Sequence, residues 1–169
     1  CHVPLNEFKA NIIDLVNIFR SPESEFYSPD TKVILITQPP VGDKLYARDC
    51  AQQGKPVDRR KETSAPYAGA VREAARELGV PCVDLWTAME DEIKAKQDQG
   101  TLSEFEGYED YLWDGLHLKD NGNDLLFKLL METITANFPE LIPDSIPFNV
   151  PPFRDFADSE ELIRMLDSQ

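Results

Sequence analysis

The chain has 169 residues, a length typical of one domain, with 41% hydrophobic residues, 28% charged residues and a formal net charge of −14. Such an acidic chain repels nucleic-acid phosphates and anionic lipid headgroups, so we expect neither nucleic acid nor a membrane as a partner. The chain contains no apolar run of about 18 residues, and no signal peptide is visible after Cys1, so we predict a cytoplasmic protein.

The three cysteines, Cys1, Cys50 and Cys82, are an odd number without the spacing of a metal site. The simplest interpretation is free thiols in a reducing compartment. A catalytic cysteine is the alternative, for which the spacing offers little support. We predict no cofactor.

The first half of the chain contains two predicted helices and one predicted strand. Apolar residues recur at helical spacing over Pro4–Arg20 and again over Glu62–Leu78. Between them, the KVILIT stretch at Lys32–Thr37 contains four consecutive apolar residues and is typical of a strand covered on both faces. Gln38–Lys61 is predicted to be a long polar loop, and such loops are uncommon unless they are functional or mobile.

The second half begins with a predicted strand at Val80–Leu85, which completes a βαβ unit and therefore a parallel pair of strands. A third helix is predicted from Trp86 to about Gly100, followed by an acidic, aromatic loop. A fourth helix is predicted at Asn123–Asn137, capped by Asp120 or Asn121. Its apolar face is predicted to point to the core.

The domain is predicted to span residues 1–138, and the Pro-rich tail at 139–169 is predicted to lie on it and to end in a short helix. Two strands alone do not form a stable α/β sheet, and the apolar strand at 33–36 needs neighbours on both sides. An uncovered apolar edge invites pairing, so we predict either a missing N-terminal segment or self-association through residues 33–36.

The segment YLWDGLHLKDNGNDLLF, residues 111–127, contains one of the two histidines. An imidazole is a good general base near neutral pH, and a carboxylate on its other nitrogen fixes its tautomer. A turn brings residues three apart within reach, so Asp114 and His117 are candidate catalytic partners. The alternatives are a plain turn at Asp114 and a buried, hydrogen-bonded His117, because an Asp-x-x-His spacing is common by chance.

A metal site is a further alternative, because acidic residues cluster just before His117. A single histidine provides too few of the ligands that zinc usually takes, however, and a run of charged residues usually faces solvent, so we predict no metal site. The acidic residues concerned are Glu104, Glu106, Glu109 and Asp110.

The sequence LWDGLHLKDNGNDLLFKLL, residues 112–130, resembles the final block of the SGNH hydrolases, also called GDSL lipases or esterases. In that family an Asp-Gly-x-His motif precedes a glycine and an apolar helix, and Asp114, Gly115, His117 and Gly122 occupy those positions. The stretches HVPLNEFKANI, KVILITQPPV, YAGAVREAARELGVPCVDLWTAM and PPFRDF resemble the isoamyl-acetate-hydrolysing branch.

The resemblance implies a flavodoxin-like, three-layer α/β/α fold in which the two predicted strands are the last two of five. It implies hydrolysis of a small ester through an acyl-enzyme, with His117 as the proton carrier and Asp114 orienting it. The Gly-Asp-Ser block of the nucleophile and the blocks of the oxyanion-hole Gly and Asn are not found here. The chain is therefore expected to be the C-terminal portion of such an enzyme, and inactive alone.

Two further expectations concern the site and its alternative. Trp113 and the Gln38–Lys61 connection are predicted to border the substrate pocket, whereas Trp86 and Phe127 are predicted to be core. The alternative to an esterase is a non-catalytic descendant that binds a partner through the uncovered strand edge.

Overall fold

The computed structural model describes residues 3–100, 103–146 and Ile163. Helices and strands follow in the order α1 (Leu5–Arg20), β1 (Leu35–Ile36), α2 (Asp43–Gln52), α3 (Lys61–Leu78), β2 (Cys82–Val83), α4 (Leu85–Asp98) and α5 (Asp120–Asn137). Short 3₁₀ turns lie at Tyr108–Asp110, Pro139–Leu141 and Pro143–Ser145. The predicted C-terminal helix and the position of the tail beyond residue 146 fall outside the described residues, apart from Ile163.

The two strands form a parallel pair, as predicted, with Leu35 opposite Cys82 and Ile36 opposite Val83. The Leu35 N–H donates to the Pro81 carbonyl at 3.0 Å, and the Thr37 N–H donates to the Val83 carbonyl at 3.0 Å. Each strand is shorter than its apolar stretch predicts, because only the residues of these two pairs form the hydrogen-bonded ladder.

The helices form two groups with the sheet between them. Helix α1 packs on α3, which contacts both strands, while α4 packs on α5, which contacts β2. Small residues, including Ala68, Ala74 and Ala75, let α3 approach the sheet closely. The second group encloses a core around Leu85, Met89 and other apolar side chains. The predicted α/β/α architecture is confirmed.

The prediction of a loop throughout Gln38–Lys61 was wrong, because α2 lies within it. Only Leu45 and Cys50 of this helix are buried, and most of its other residues are polar. A helix that buries so few side chains lacks the apolar periodicity by which sequence patterns identify helices.

Helix α5 begins three residues earlier than predicted, and neither proposed cap has that role. Lys119 is the N-cap, with no side-chain capping bond, and Asp120 is the first helical residue. Trp86 is buried as predicted, with 9% of its surface exposed, but Phe127 is 65% exposed. At 3.6 residues per turn, Phe127 lies on roughly the opposite side of α5 from the buried Leu125.

The edge of β1 away from β2 is uncovered in the described part of the chain. Ile36 is 41% exposed at this edge, and a groove of about 440 Å³ runs along it between Ile12 on α1 and Leu126 on α5. Among the described residues, no helix is long and apolar enough to cross a membrane.

A polar cluster next to the core joins α3, α4 and the 3₁₀ turn at Tyr108–Asp110. The hydroxyl of the buried Tyr108 donates to a Glu90 carboxylate oxygen and accepts from Lys61 Nζ at 2.8 Å. Burial, aided by the Glu90 hydrogen bond, raises the pKa of Tyr108 to about 12. Because an unfolded tyrosine has a pKa of about 10, the folded state holds this proton more tightly than the unfolded state does.

This difference predicts a pH-dependent loss of stability in alkali. The contribution is complete below about pH 10 and disappears as the pH rises towards about 12, so the free energy of unfolding falls through that window by roughly 2 kcal/mol. The Tyr108→Phe variant should lose stability at pH 8 but show a shallower alkaline decline, measured by urea unfolding at pH 8 to 12. The Tyr27→Phe variant, at an exposed tyrosine, is the control; equal slopes in all three proteins would contradict the prediction.

Candidate active site

The Asp114–His117 segment is held as a tight turn between two paired residues. Leu112 and Leu118 form an antiparallel bridge, and the Trp113 N–H donates to the His117 carbonyl at 2.9 Å. The Lys119 N–H donates to the Tyr111 carbonyl at 2.9 Å just outside the turn. These backbone hydrogen bonds therefore fix the conformation of the turn and the position of its side chains.

Asp114 organises the turn and the histidine together. Its Oδ1 accepts from the N–H groups of Leu116 and His117, at 2.8 and 2.9 Å. Its Oδ2 lies 2.7 Å from Nδ1 of His117. This contact makes Nδ1 the proton-bearing nitrogen and leaves Nε2 as the basic one. The His117 side chain is 74% exposed, so its Nε2 is open to a reacting group.

The electrostatics of Asp114 favour the charged form. Partial burial raises the pKa of this carboxyl, but the hydrogen bonds from His117 and Leu116 outweigh burial and hold the pKa below its usual value. Asp114 is therefore a carboxylate at neutral pH. It can fix the tautomer of His117 and stabilise the imidazolium that forms when Nε2 takes a proton.

Gly115 lets the turn pack closely against the beginning of α2. Its carbonyl accepts the Gly42 N–H at 2.9 Å, and its φ of +89° favours glycine. A Cβ at this position would lie 2.4 Å from the Tyr46 nitrogen and 2.6 Å from the Gly42 carbonyl oxygen. Helix α2, which the sequence patterns did not predict, thus supports the candidate site.

The other predicted residues have different surroundings. Trp113 adjoins the pair but is 66% exposed, and its substrate-binding role stays a prediction.

In the acidic cluster, Asp110 pairs with Lys96 at 2.8 Å and Glu106 pairs with Lys44 at 2.9 Å. Among the described residues, no three His, Cys, Asp or Glu side chains are grouped to hold a metal. Cys50 and Cys82 are free thiols.

A cleft of about 440 Å³ opens beside the turn. Leu116 forms one wall, and the others come from α1, α3 and the segments that flank α2. The residues that line it are Phe8, Gln38, Pro39, Val41, Arg59, Ser64, Tyr67 and Leu116. The predicted bordering connection includes Gln38, Pro39, Val41 and Arg59, and Leu116 belongs to the Asp-Gly-x-His motif. The remaining lining residues, Phe8, Ser64 and Tyr67, come from α1 and α3, and no sequence pattern predicted them at the cleft.

Comparisons with other proteins support one family. The model of the family described as GDSL-like lipase/acylhydrolase matches residues 1–130. An isoamyl acetate-hydrolyzing esterase 1 homolog from Bos taurus is 34% identical over 165 residues, which are 98% of this chain and 58% of the relative. The corresponding Rattus norvegicus protein is 36% identical over 146 residues, 85% of this chain and 52% of the relative.

A plant relative and a solved structure extend the comparison. A GDSL esterase/lipase from Arabidopsis thaliana is 31% identical over 157 residues, 89% of this chain and 56% of the relative. A mutant acetyl-xylooligosaccharide esterase from Geobacillus shares the fold at a TM-score of 0.50 and 22% identity, over 79% of this chain and 48% of that chain. This chain spans about half the length of these proteins, and it belongs to the GDSL-like lipase/acylhydrolase family.

Proposed function

We propose that the natural protein containing this chain hydrolyses short-chain carboxylic esters through an acyl-enzyme, and that Asp114 and His117 are two members of its catalytic triad. The contact of 2.7 Å between Asp114 Oδ2 and His117 Nδ1, with Nε2 left open, carries this proposal. Membership of the family and the names of the animal relatives, which describe hydrolysis of isoamyl acetate, support it.

The two residues divide the work of proton transfer. His117 Nε2 accepts the proton of a serine hydroxyl while the serine oxygen bonds to the ester carbonyl carbon, and it then returns the proton to the departing alcohol oxygen as the ester C–O bond breaks. In the second half, His117 takes a proton from water, the water oxygen displaces the serine oxygen from the acyl carbon, and the proton passes to the serine. Asp114 stays ionised throughout.

The serine and the oxyanion-hole glycine and asparagine of this mechanism lie outside the 169 residues, which contain no Gly-Asp-Ser block. Loss of a nucleophile alone lowers kcat on the order of 10⁶-fold in a serine hydrolase. The 169-residue chain by itself is therefore proposed to be inactive.

The second candidate function is a binding module without catalysis. The uncovered edge of β1, with the exposed Ile36 and the apolar groove beside it, favours this candidate. The same edge offers a place for two copies of the chain to pair. Self-association predicts a dimer by light scattering, and a monomeric mass at high concentration would contradict it.

A fluorophosphonate probe, which reacts with an activated serine, tests the proposed function. The intact natural protein is expected to gain the mass of one label, and the His117→Ala variant is expected to label far more slowly. The 169-residue chain should not be labelled. A natural protein that takes no label under conditions where a known serine esterase is fully labelled would favour the binding module.

A further inference from the structure

The cleft beside Leu116 has a chemical character that points to a particular part of the substrate. Phe8, Pro39, Val41, Tyr67 and Leu116 make it mainly apolar. Its volume of about 440 Å³ falls within the range of about 300–1,000 Å³ usual for small-molecule sites. We propose that this cleft binds the uncharged alkyl chain of the ester and sets the preference for chain length. This inference rests on the proposed function.

The walls are held in place by contacts of their own. The Phe8 and Tyr67 rings meet edge to face, with centroids 5.0 Å apart, and the Tyr67 hydroxyl donates to the Val3 carbonyl at 2.7 Å. The Gln38 side-chain amide donates to the Ser64 carbonyl at 2.9 Å. The cleft is thus largely pre-formed, and these polar groups already have partners within the protein.

The charge in the cleft is compensated. Arg59 is the charged residue of the lining, and its guanidinium donates to Asp58 Oδ2 at 2.8 Å. The other oxygen of Asp58 accepts from the Tyr46 hydroxyl at 2.6 Å. An ionic ligand would have to compete with this ion pair, whereas an alkyl chain can contact the apolar walls without breaking it. The cleft therefore favours an uncharged group.

The position of the cleft links it to the reaction. Leu116 lies between Asp114 and His117, and its N–H is held by Asp114 at 2.8 Å. An alkyl chain resting on Leu116 would thus extend from an ester group next to His117. Such a chain can come from the acyl side or from the alcohol side of the ester, and the two sources are separable by experiment.

Two series of esters distinguish the sources. The first varies the alcohol of an acetate from ethyl to hexyl, and the second varies the acid of an ethyl ester from acetate to hexanoate. In the intact natural protein, kcat/KM is expected to rise roughly fourfold per added methylene along one series, until the cleft is full. The series that shows this rise identifies the chain that occupies the cleft.

Filling the cleft provides the decisive variant. Ser64 is half-buried in the lining, so Ser64→Leu should flatten the rising series. Glu62→Leu, which places the same side chain at an exposed position near the start of α3, is the matched control. Equal slopes in Ser64→Leu and wild type, or no rise in either series, would overturn the inference.

A binding measurement separates this inference from the proposed function. The probe is 3-methylbutan-1-ol, which has no ester bond, and its binding is followed by NMR shifts of the Leu116 and Val41 methyl groups. Binding that Ser64→Leu weakens at least fivefold would support the cleft even in a protein without esterase activity. Esterase activity with no such binding and flat series would overturn the inference alone.

Discussion

The His117→Ala variant of the intact natural protein is expected to lose roughly 10⁴- to 10⁶-fold in kcat for short-chain acetate esters. The variant lacks the Nε2 that accepts and returns the proton in both halves of the proposed reaction. Steady-state kinetics should show the loss in kcat with a much smaller change in KM, because the imidazole acts in the transition state rather than in ground-state binding.

The Asp114→Asn variant tests the same proposal through the partner of His117. An amide in place of Oδ2 removes the charge that stabilises the imidazolium and the acceptor that fixes the tautomer, so kcat should fall by roughly 10³- to 10⁴-fold. Asp120→Asn is the matched control, since Asp120 lies three residues beyond His117 and is exposed. Similar activity in both Asn variants would contradict the assignment of Asp114 as the orienting carboxylate.

The Gly115→Ala variant is expected to lose about 3 kcal/mol or more in the free energy of unfolding, together with most of its activity. The added Cβ would meet the backbone of Tyr46 and Gly42 at 2.4–2.6 Å, and backbone atoms cannot rotate away. The positive φ adds strain for any residue with a side chain. The turn must therefore separate from α2, which also misplaces His117. Urea unfolding and esterase kinetics measure the two losses.

A second glycine separates crowding from backbone strain. Gly54 also has a positive φ, +65°, but a Cβ there would meet nothing within 4 Å. The Gly54→Ala variant should therefore cost only about 1–2 kcal/mol and leave kcat unchanged. If the two variants lose equal stability, the close approach of Gly115 to α2 has no energetic weight, and that outcome would refute the supporting role of α2.

Local patterns were enough to predict most of the secondary structure. Helices such as α1 and α3 follow from apolar residues at helical spacing, and the positions of β1 and β2 follow from short β-branched runs. The Asp114–His117 contact was also accessible, because a turn of four residues contains both partners. These features depend on residues that are neighbours in the chain, which is why their spacing reveals them.

Local patterns failed where burial depends on distant segments. Helix α2 is stabilised by a few buried side chains and by the close packing of Gly115 against its first turn. Neither contact produces a periodic pattern of apolar residues in the sequence. Phe127 is predicted to be core, yet it is largely exposed and the buried Leu125 lies on the other side of α5. Only the packed structure shows which face a helix buries.

The sequence by itself determined the family motif and the parallel α/β arrangement, and it indicated Asp114 and His117 as candidate partners, because each depends on residue types at short, regular spacings. Tertiary structure alone decided which surfaces meet. It placed Gly115 against α2, and it brought Phe8 and Val41 to Leu116 to form the cleft. Contacts between distant segments depend on the packing of the intact fold, and no local spacing encodes them.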